Sequence, residues 1–389
     1  MTTPPNPRTH WWATDAEVAP CLAEDSAEAR RFGGMSQGAL FWWRFRKHRL
    51  AVLSMAFLAL LYLVVAFAEV VAPYGAGDRN SREIHMPPQG IHLLGPEGLT
   101  LPYVHPYFYR LDRDNLRRVY TPDTARIQPL RFFCLGKPYR FWGLFPGRFH
   151  LVCPPEGASF HPLGTDRLGR DVFSRIIHGA RISLTVGLLG IALSMTLGMA
   201  IGGIAGYKGG VVDLLIQRMI ELFRCLPELP LWMALSAALP VTWSPIAVYF
   251  GITLILGLLD WPGLARSIRG KLLSLREEDF VLASRMMGAP PGRIIRQHLL
   301  PALTSHLIAS ATLSIPGMIL GETALSFIGL GLRPPVTSWG VLLNEAGNLN
   351  AVLLHPWLLT PVIPVILTVL TFNFMGDGLR DAADPYMDS

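Results

Sequence analysis

"EEDFVLASRMMGAPPGRIIRQHLLP", Glu277–Pro301, lies between two long apolar runs, and its reading decides the fold. It holds three arginines, two glutamates and one aspartate, with Gly288, Pro290 and Pro291 at its middle. The segment is too polar to cross a bilayer and too patterned to be a plain linker. Within "DFVLASRMMGA", Phe280, Ala283 and Met287, and Leu282 with Met286, follow i, i+3, i+4 spacing, which predicts a short amphipathic helix. Glu278 and Asp279 stand at its start, where the helix dipole favours negative charge. Gly288 can take the positive φ of a helix C-cap. Pro290 and Pro291 forbid continuation. A second short helix, "GRIIRQHLL", then leads to Pro301 and into the next apolar run.

Those runs place the segment in a membrane protein. The chain has 389 residues, 51% hydrophobic and only 16% charged, where a soluble domain carries about 25% charge. A spanning helix needs about 20 apolar residues to cross about 30 Å of hydrocarbon. Six segments qualify: Ala51–Ala72, interrupted only by Glu69; Ile182–Gly206; Leu214–Leu239; Pro245–Ala265, with Asp260 near its end; Leu303–Leu330; and Trp357–Met375. The expected fold class is an all-α polytopic membrane protein with six transmembrane helices.

Arginine and lysine near the span ends set the orientation. Arg44, Arg46, Lys47 and Arg49 precede the first span and keep the N-terminus in the cytoplasm. Six crossings return the C-terminus there, so both termini are expected to be cytoplasmic. The loop of about 266–302 then faces the cytoplasm, and it carries Arg266, Arg269, Lys271, Arg276, Arg285, Arg293 and Arg296. The insert at 73–165 is external and also arginine-rich, but loops beyond about 60 residues translocate largely regardless of charge. The expected organisation is a poorly ordered tail at 1–40, the first span with its flank at 41–72, the periplasmic insert at 73–165, a core at 166–380 and a cytoplasmic end at 381–389.

Within the insert, Arg131–Pro154 alternates short aromatic and aliphatic runs with Gly and Pro, which reads as a few short strands joined by turns. Cys134 and Cys153 flank it. In an oxidising compartment the two can close a loop of about 20 residues, worth about 3 kcal/mol by chain entropy; the alternative is two buried thiols. Cys21 and Cys225 are expected to stay unpaired.

Enzymatic readings find little support. There is no Walker A sequence, since "GGIAGYKGG" at Gly202–Gly210 lacks the Gly-Lys-Ser/Thr ending. No GxSxG or HExxH occurs. His85 and His92 have no carboxylate or cysteine at ligand spacing, so no metal is expected, and no cofactor. The positive charge is membrane-flank charge and does not point to nucleic acid; membrane lipid is the expected surroundings. Passage, anchoring or transmission remains.

Charged residues inside spans are costly and mark special sites. Glu221, Arg224 and Glu228 in the third span either line a pathway or lock helices near its cytoplasmic end. Glu221 and Arg224, three apart, can pair on one helical face. Glu322 in the fifth span must face protein or a cavity. "GTDRLGRD" can cap the second span through Asp166 and Asp171, and its charge density suggests an ordered network at the membrane edge. "SWGVLLNEAG" can be an interfacial helix with Trp339 as an aromatic anchor.

The Glu277–Pro301 segment resembles the EAA loop of the inner-membrane permease subunits of peptide/nickel-type ABC importers. Aligned on Gly288, Leu282, Ala283 and Ser284 fall at the Glu-Ala-Ala positions, and His298, Leu299, Leu300 and Pro301 at the final Ile-x-Leu-Pro. Gly288, Ala283, Leu300 and Pro301 match. Leu282 replaces the glutamate and Ser284 the second alanine, leaving Glu277, Glu278 or Asp279 as the nearby acids. His161–Gly187, Ala324–Leu343 and Phe372–Pro385 resemble other stretches of the same family. The insert is longer than in the plain family and resembles the subgroup of microcin-type peptide importers.

The resemblance implies the ABC importer permease fold and no enzymatic activity in this chain. It implies a homologous second permease subunit, two cytoplasmic ATP-binding subunits and a periplasmic solute-binding protein. It implies an ATPase-coupling loop carried by Asp279, Ala283, Ser284, Arg285, Gly288, Ala289 and Pro301. The cargo would be peptides or peptide-like solutes, with nickel, oligosaccharides or opines as alternatives. A self-sufficient transporter or channel would want inverted repeats or buried ion-coupling residues, and neither is evident.

Overall fold

A computed structural model describes residues 37–95, 98–113, 117–154 and 158–383. The tail at 1–36 with Cys21, and the last six residues of the expected C-terminal end, lie outside the described residues. Residues 37–40, expected as tail, instead open helix α1, Gln37–Lys47. Its Phe45 is buried with Ala51 and Ala382.

The first apolar run forms α2, Arg49–Ala66, capped by the His48 ring, which accepts from the Ala51 amide. The helix breaks at Phe67, and a short α3, Ala68–Val71, follows. Glu69 therefore lies outside the span expected to contain it. The Arg181 guanidinium holds its carboxylate in two bonds of 2.7 Å.

Among the described residues, seven strands follow. β1 (His92–Gly95), β2 (Gly98–Val104) and β5 (Gln128–Pro129) form one antiparallel sheet, and β3 (Tyr107–Leu111) with β4 (Arg118–Pro122) forms a hairpin. The Arg131–Pro154 stretch, expected as a few short strands, is one long hairpin of β6 (Arg131–Phe141) and β7 (Phe145–Cys153). The Cys134 and Cys153 sulfurs are bonded across it.

The helical body begins with α4, Val172–Lys208, ten residues earlier than the expected second span. Asp171 caps it, its carboxylate accepting from the Ser174 amide at 2.7 Å. The expected third span is not one helix. It is α5, Gly210–Arg224, and α6, Glu228–Ala237, broken at Cys225–Pro227. Pro227 supplies no amide, and Pro230 falls in the first turn of α6, where proline is tolerated. α7, Pro245–Leu275, runs ten residues past its expected end, so 266–275 is helix and not loop. α8, Asp279–Met286, and α9, Pro291–Ile294, follow. A π-turn at Ile295–Leu299 joins α9 directly to α10, Leu300–Ile328, with Pro301 in its first turn. The second short helix of the expected loop is thus continuous with the next span. α11 (Trp339–Glu345), α12 (Leu349–Leu354), a 3₁₀ turn (Pro356–Leu359) and α13 (Val362–Ala383) complete the chain.

Among the described residues, five helical segments are long and apolar enough to cross a membrane: Arg49–Ala66, Val172–Lys208, Pro245–Leu275, Pro301–Ile328 and Pro356–Ala383. They correspond to five of the six expected spans; the broken third is the exception. The central pair is α4 against α7. Gly198, Gly202 and Gly206 recur every fourth residue along α4 and face Leu264, Ala265 and Leu272. A Cβ at Gly202 would sit 2.5 Å from the Ala265 carbonyl oxygen. Small residues at this spacing let two backbones approach, the usual basis of helix association in lipid. Around the pair, Leu58, Leu184, Leu264, Ile319, Leu342 and Phe372 join α2, α4, α7, α10, α11 and α13 in one apolar core.

Candidate functional site

The elbow from α8 to α10 is built by local chain chemistry on a packed base. Gly288 takes φ +78°, and its amide donates to the Arg285 carbonyl at 3.0 Å. Ala289 N donates to the Ser284 carbonyl at 3.2 Å, closing the helix end as αL glycines do. Beneath it, Val281, Ile294 and Leu299 are fully buried with Ile268, Leu272 and Leu303. The Arg285 guanidinium stands 5.9 Å from the Tyr207 ring, linking the elbow to the end of α4.

The buried stripe of α8 is not the one read from spacing. Val281 and Ser284 face the body, while Phe280, Leu282, Met286 and Met287 face outward. Met286 is 90% exposed and Met287 81%. Ser284 is buried because its hydroxyl has partners: it donates to the Phe280 carbonyl at 2.9 Å and lies 3.4 Å from His298 Nε2. Asp279, Ala283 and Arg285 are exposed. The arrangement is a short helix held from below by two side chains, its other faces bare and partly apolar.

The polar residues singled out in the spans separate. Glu221 does not pair with Arg224; it accepts from Arg218 at 2.8 Å on an exposed face. Arg224 and Glu228 flank the helix break and line one recess with Trp232, Asp260 and Pro262. Asp260 itself accepts from Ser194 at 3.1 Å. Glu322 lies elsewhere, fully buried, accepting from Ser183 of α4 and Ser326 of its own helix at 2.8 Å each. Ser183 accepts in turn from the Trp339 amide at 3.2 Å. The Glu322 carboxylate is thereby tied to α4 and, through Ser183, to the start of α11. Among the described residues no group of three or more His, Cys, Asp or Glu could hold a metal ion. His85 stacks on His355, and His92 on Tyr103.

A family model described as a binding-protein-dependent transport system inner membrane component matches residues 198–389, from mid-α4 through the elbow to the end. The dipeptide transport system permease protein DppC of Bacillus subtilis is 41% identical over 234 residues, covering 60% of this chain and 70% of that protein. The chain belongs to the family of binding-protein-dependent transport permeases. A second model, described as the N-terminal TM domain of oligopeptide transport permease C, matches residues 36–88 of this permease. The oligopeptide transport system permease protein OppC of Haemophilus influenzae is 40% identical over 236 residues, covering 60% of this chain and 73% of that protein. Neither family model reaches residues 89–197, which carry the strands.

At the opposite end of this permease lies a charge cluster that the sequence signals only as density. Arg170 donates to Asp166 at 2.6 Å and to both Glu345 oxygens at 2.9 Å. Arg175 donates to Asp166 and to Glu345 at 2.6 Å each. All four are nearly buried and clamp the entry of α4 to α11. Asp166 is therefore a cluster member, and Asp171 alone is the cap. Beside them His161 Nδ1 donates to Asp171 at 3.0 Å and Nε2 to Glu83 at 2.9 Å. Burial pulls the His161 pKa down, but the bonds and charges of Asp171 and Glu83 outweigh it and raise the pKa to about 9. Trp339 is not an interfacial anchor: it is fully buried, and its indole N–H donates to the Ile176 carbonyl at 3.1 Å. Glu345 carries no sequence signal that distinguishes it from a surface acid.

Proposed function

We propose that this permease is the membrane-spanning subunit of an ATP-driven importer that passes peptides or peptide-like solutes across the bacterial inner membrane. The broken pair α5 and α6 supplies a crossing along with the five long helices, so six crossings leave both termini in the cytoplasm and the strand-bearing insert outside. Separate ATPase subunits dock on the elbow. A homologous permease pairs with the helical body, and a solute-binding protein delivers cargo to the external face. ATP binding shifts the permease only by its differential affinity for the two states, so the elbow must transmit that difference rigidly.

The observation that carries this reading is α8: a short helix, buried only at Val281 and Ser284, with Met286 and Met287 almost wholly exposed. Bare methionines on an otherwise packed base suit an adaptable docking contact. Leu282, where the family pattern has glutamate, extends that surface and makes the contact more apolar. The peptide assignment is supported by the names of the two relatives. The test is purification of the tagged chain in mild detergent from its own membranes, with mass spectrometry of what accompanies it. A second permease and Walker-motif ATPases are expected. Recovery of the chain alone, folded and stable, would overturn the reading in favour of a self-sufficient transporter or channel.

A further inference from the structure

The β6–β7 hairpin has two unlike faces. On one, His150 is buried, 3.1 Å from the Ala72 carbonyl just beyond α3 and 3.0 Å from the Lys137 carbonyl. On the other, Leu135 pairs across the strands with Phe149, which stacks on Phe133 at 6.4 Å. Phe133 is 72% exposed and Leu135 77%. At the turn, Leu144 is 74% exposed with Phe145 beside it.

The hairpin is pinned at a defined depth. Its turn residue Trp142 donates its indole N–H to the Ala66 carbonyl at 3.0 Å and its amide to Glu69 at 3.2 Å. The Arg181 guanidinium covers the same ring at 4.2 Å, and Phe141 packs on Phe67. His150 meets Ala72 and Trp142 meets Ala66, so the turn points back past α3 to the end of α2. Ala66 ends α2, whose 18 residues span about 27 Å, close to the hydrocarbon thickness of about 30 Å. Trp142 therefore sits at the hydrocarbon edge, where tryptophan is enriched. Exposed Arg140 and Arg148 flank the tip, one on each strand.

We propose that the hairpin tip, Trp142–Phe145, is an interfacial membrane anchor that buries Leu144 and Phe145 in the leaflet at the C-terminal end of α2. The occupant is the phospholipid bilayer. A soluble partner that docks and leaves would return this apolar surface to water, where contiguous patches of this kind are disfavoured. The anchor rests on α2 crossing the membrane and is independent of the cargo and of the side on which the hairpin lies. It gives the strand insert a fixed height above the bilayer.

The test uses the full chain with Cys21→Ala and Cys225→Ala, a fluorophore at Leu144→Cys, and phospholipid nanodiscs. Lipids carrying a nitroxide near the headgroup are expected to remove most of the emission, and aqueous iodide little of it. A control probe at Thr124→Cys, exposed on the insert away from the tip, is expected to show the reverse. A second probe at Phe145→Cys guards against a local fault at the first position. Quenching by iodide and not by lipid would place the tip in water and overturn the proposal. Protection from both quenchers would mean that a protein covers the tip, and would overturn it equally.

Discussion

Gly288 sits at φ +78° with nothing within 4 Å of where a Cβ would stand. A side chain there meets backbone strain and no crowding. Leaving glycine costs about 1–2 kcal/mol in the αL conformation, enough to bias the angle between α8 and α9. Gly288→Leu is expected to abolish uptake while nucleotide binding by the partner ATPases persists, read by transport and nucleotide-binding assays on the same membranes. Normal uptake by that variant would sink the coupling role. His161 offers a pH test. Its pKa is raised from the ordinary 6.5 to about 9, so its contribution to stability is complete below pH 6.5 and is lost as pH rises through about 9. The melting temperature of the detergent-solubilised chain should fall over that window, and His161→Gln should flatten the fall. A His161→Gln profile as steep as the parent's would show that other groups control it.

At the scale of elements, the charge cluster and the elbow helix make opposite predictions. Arg175 joins Asp166 and Glu345 from inside α4. Arg175→Met leaves two buried carboxylates with one arginine, a loss of about 3–5 kcal/mol. Arg175→Lys should recover only part of it, because an ammonium lacks the fork that meets both acids. Thermal unfolding of both variants checks this, and an unshifted Met variant would contradict the clamp. Met286 lies on the bare side of α8, so Met286→Asp should leave the melting curve in place, within about 0.5 kcal/mol. It should lower ATPase co-recovery severalfold. Unchanged co-recovery would move the docking surface off α8. The third span shows how an element misleads: apolar content suggested one continuous helix, whereas the chain forms two helices broken at Cys225–Pro227 beside a polar recess.

For the whole molecule, α2 is one-sided. It buries Ala51, Ser54, Leu58 and Val65 and leaves Leu53, Leu60 and Leu63 bare. A helix with one face on the body and the other uncovered belongs at the periphery. A photoreactive group at Leu60→Cys is expected to label lipid in nanodiscs and not a transported peptide; peptide adducts there would put α2 on the pathway. The body itself turns about α4 and α7, whose glycine-lined crossing brings their backbones into contact.

The apolar runs marked five long helices, because hydropathy is summed residue by residue along a continuous segment. Gly288 and the paired prolines marked the bend of the elbow, because φ preference and a missing amide are properties of single residues. The side of α8 that is buried did not follow from spacing, since that depends on what lies beneath it: Ile294, Leu299 and the end of α7. Partners across the chain were likewise hidden. Arg175 finds Glu345, Glu322 finds Ser183, and Trp142 returns to Ala66. A buried charge or a bare indole N–H must be satisfied, and its residue type announces that need. Which distant group satisfies it is decided only when the helices and the hairpin come together in three dimensions.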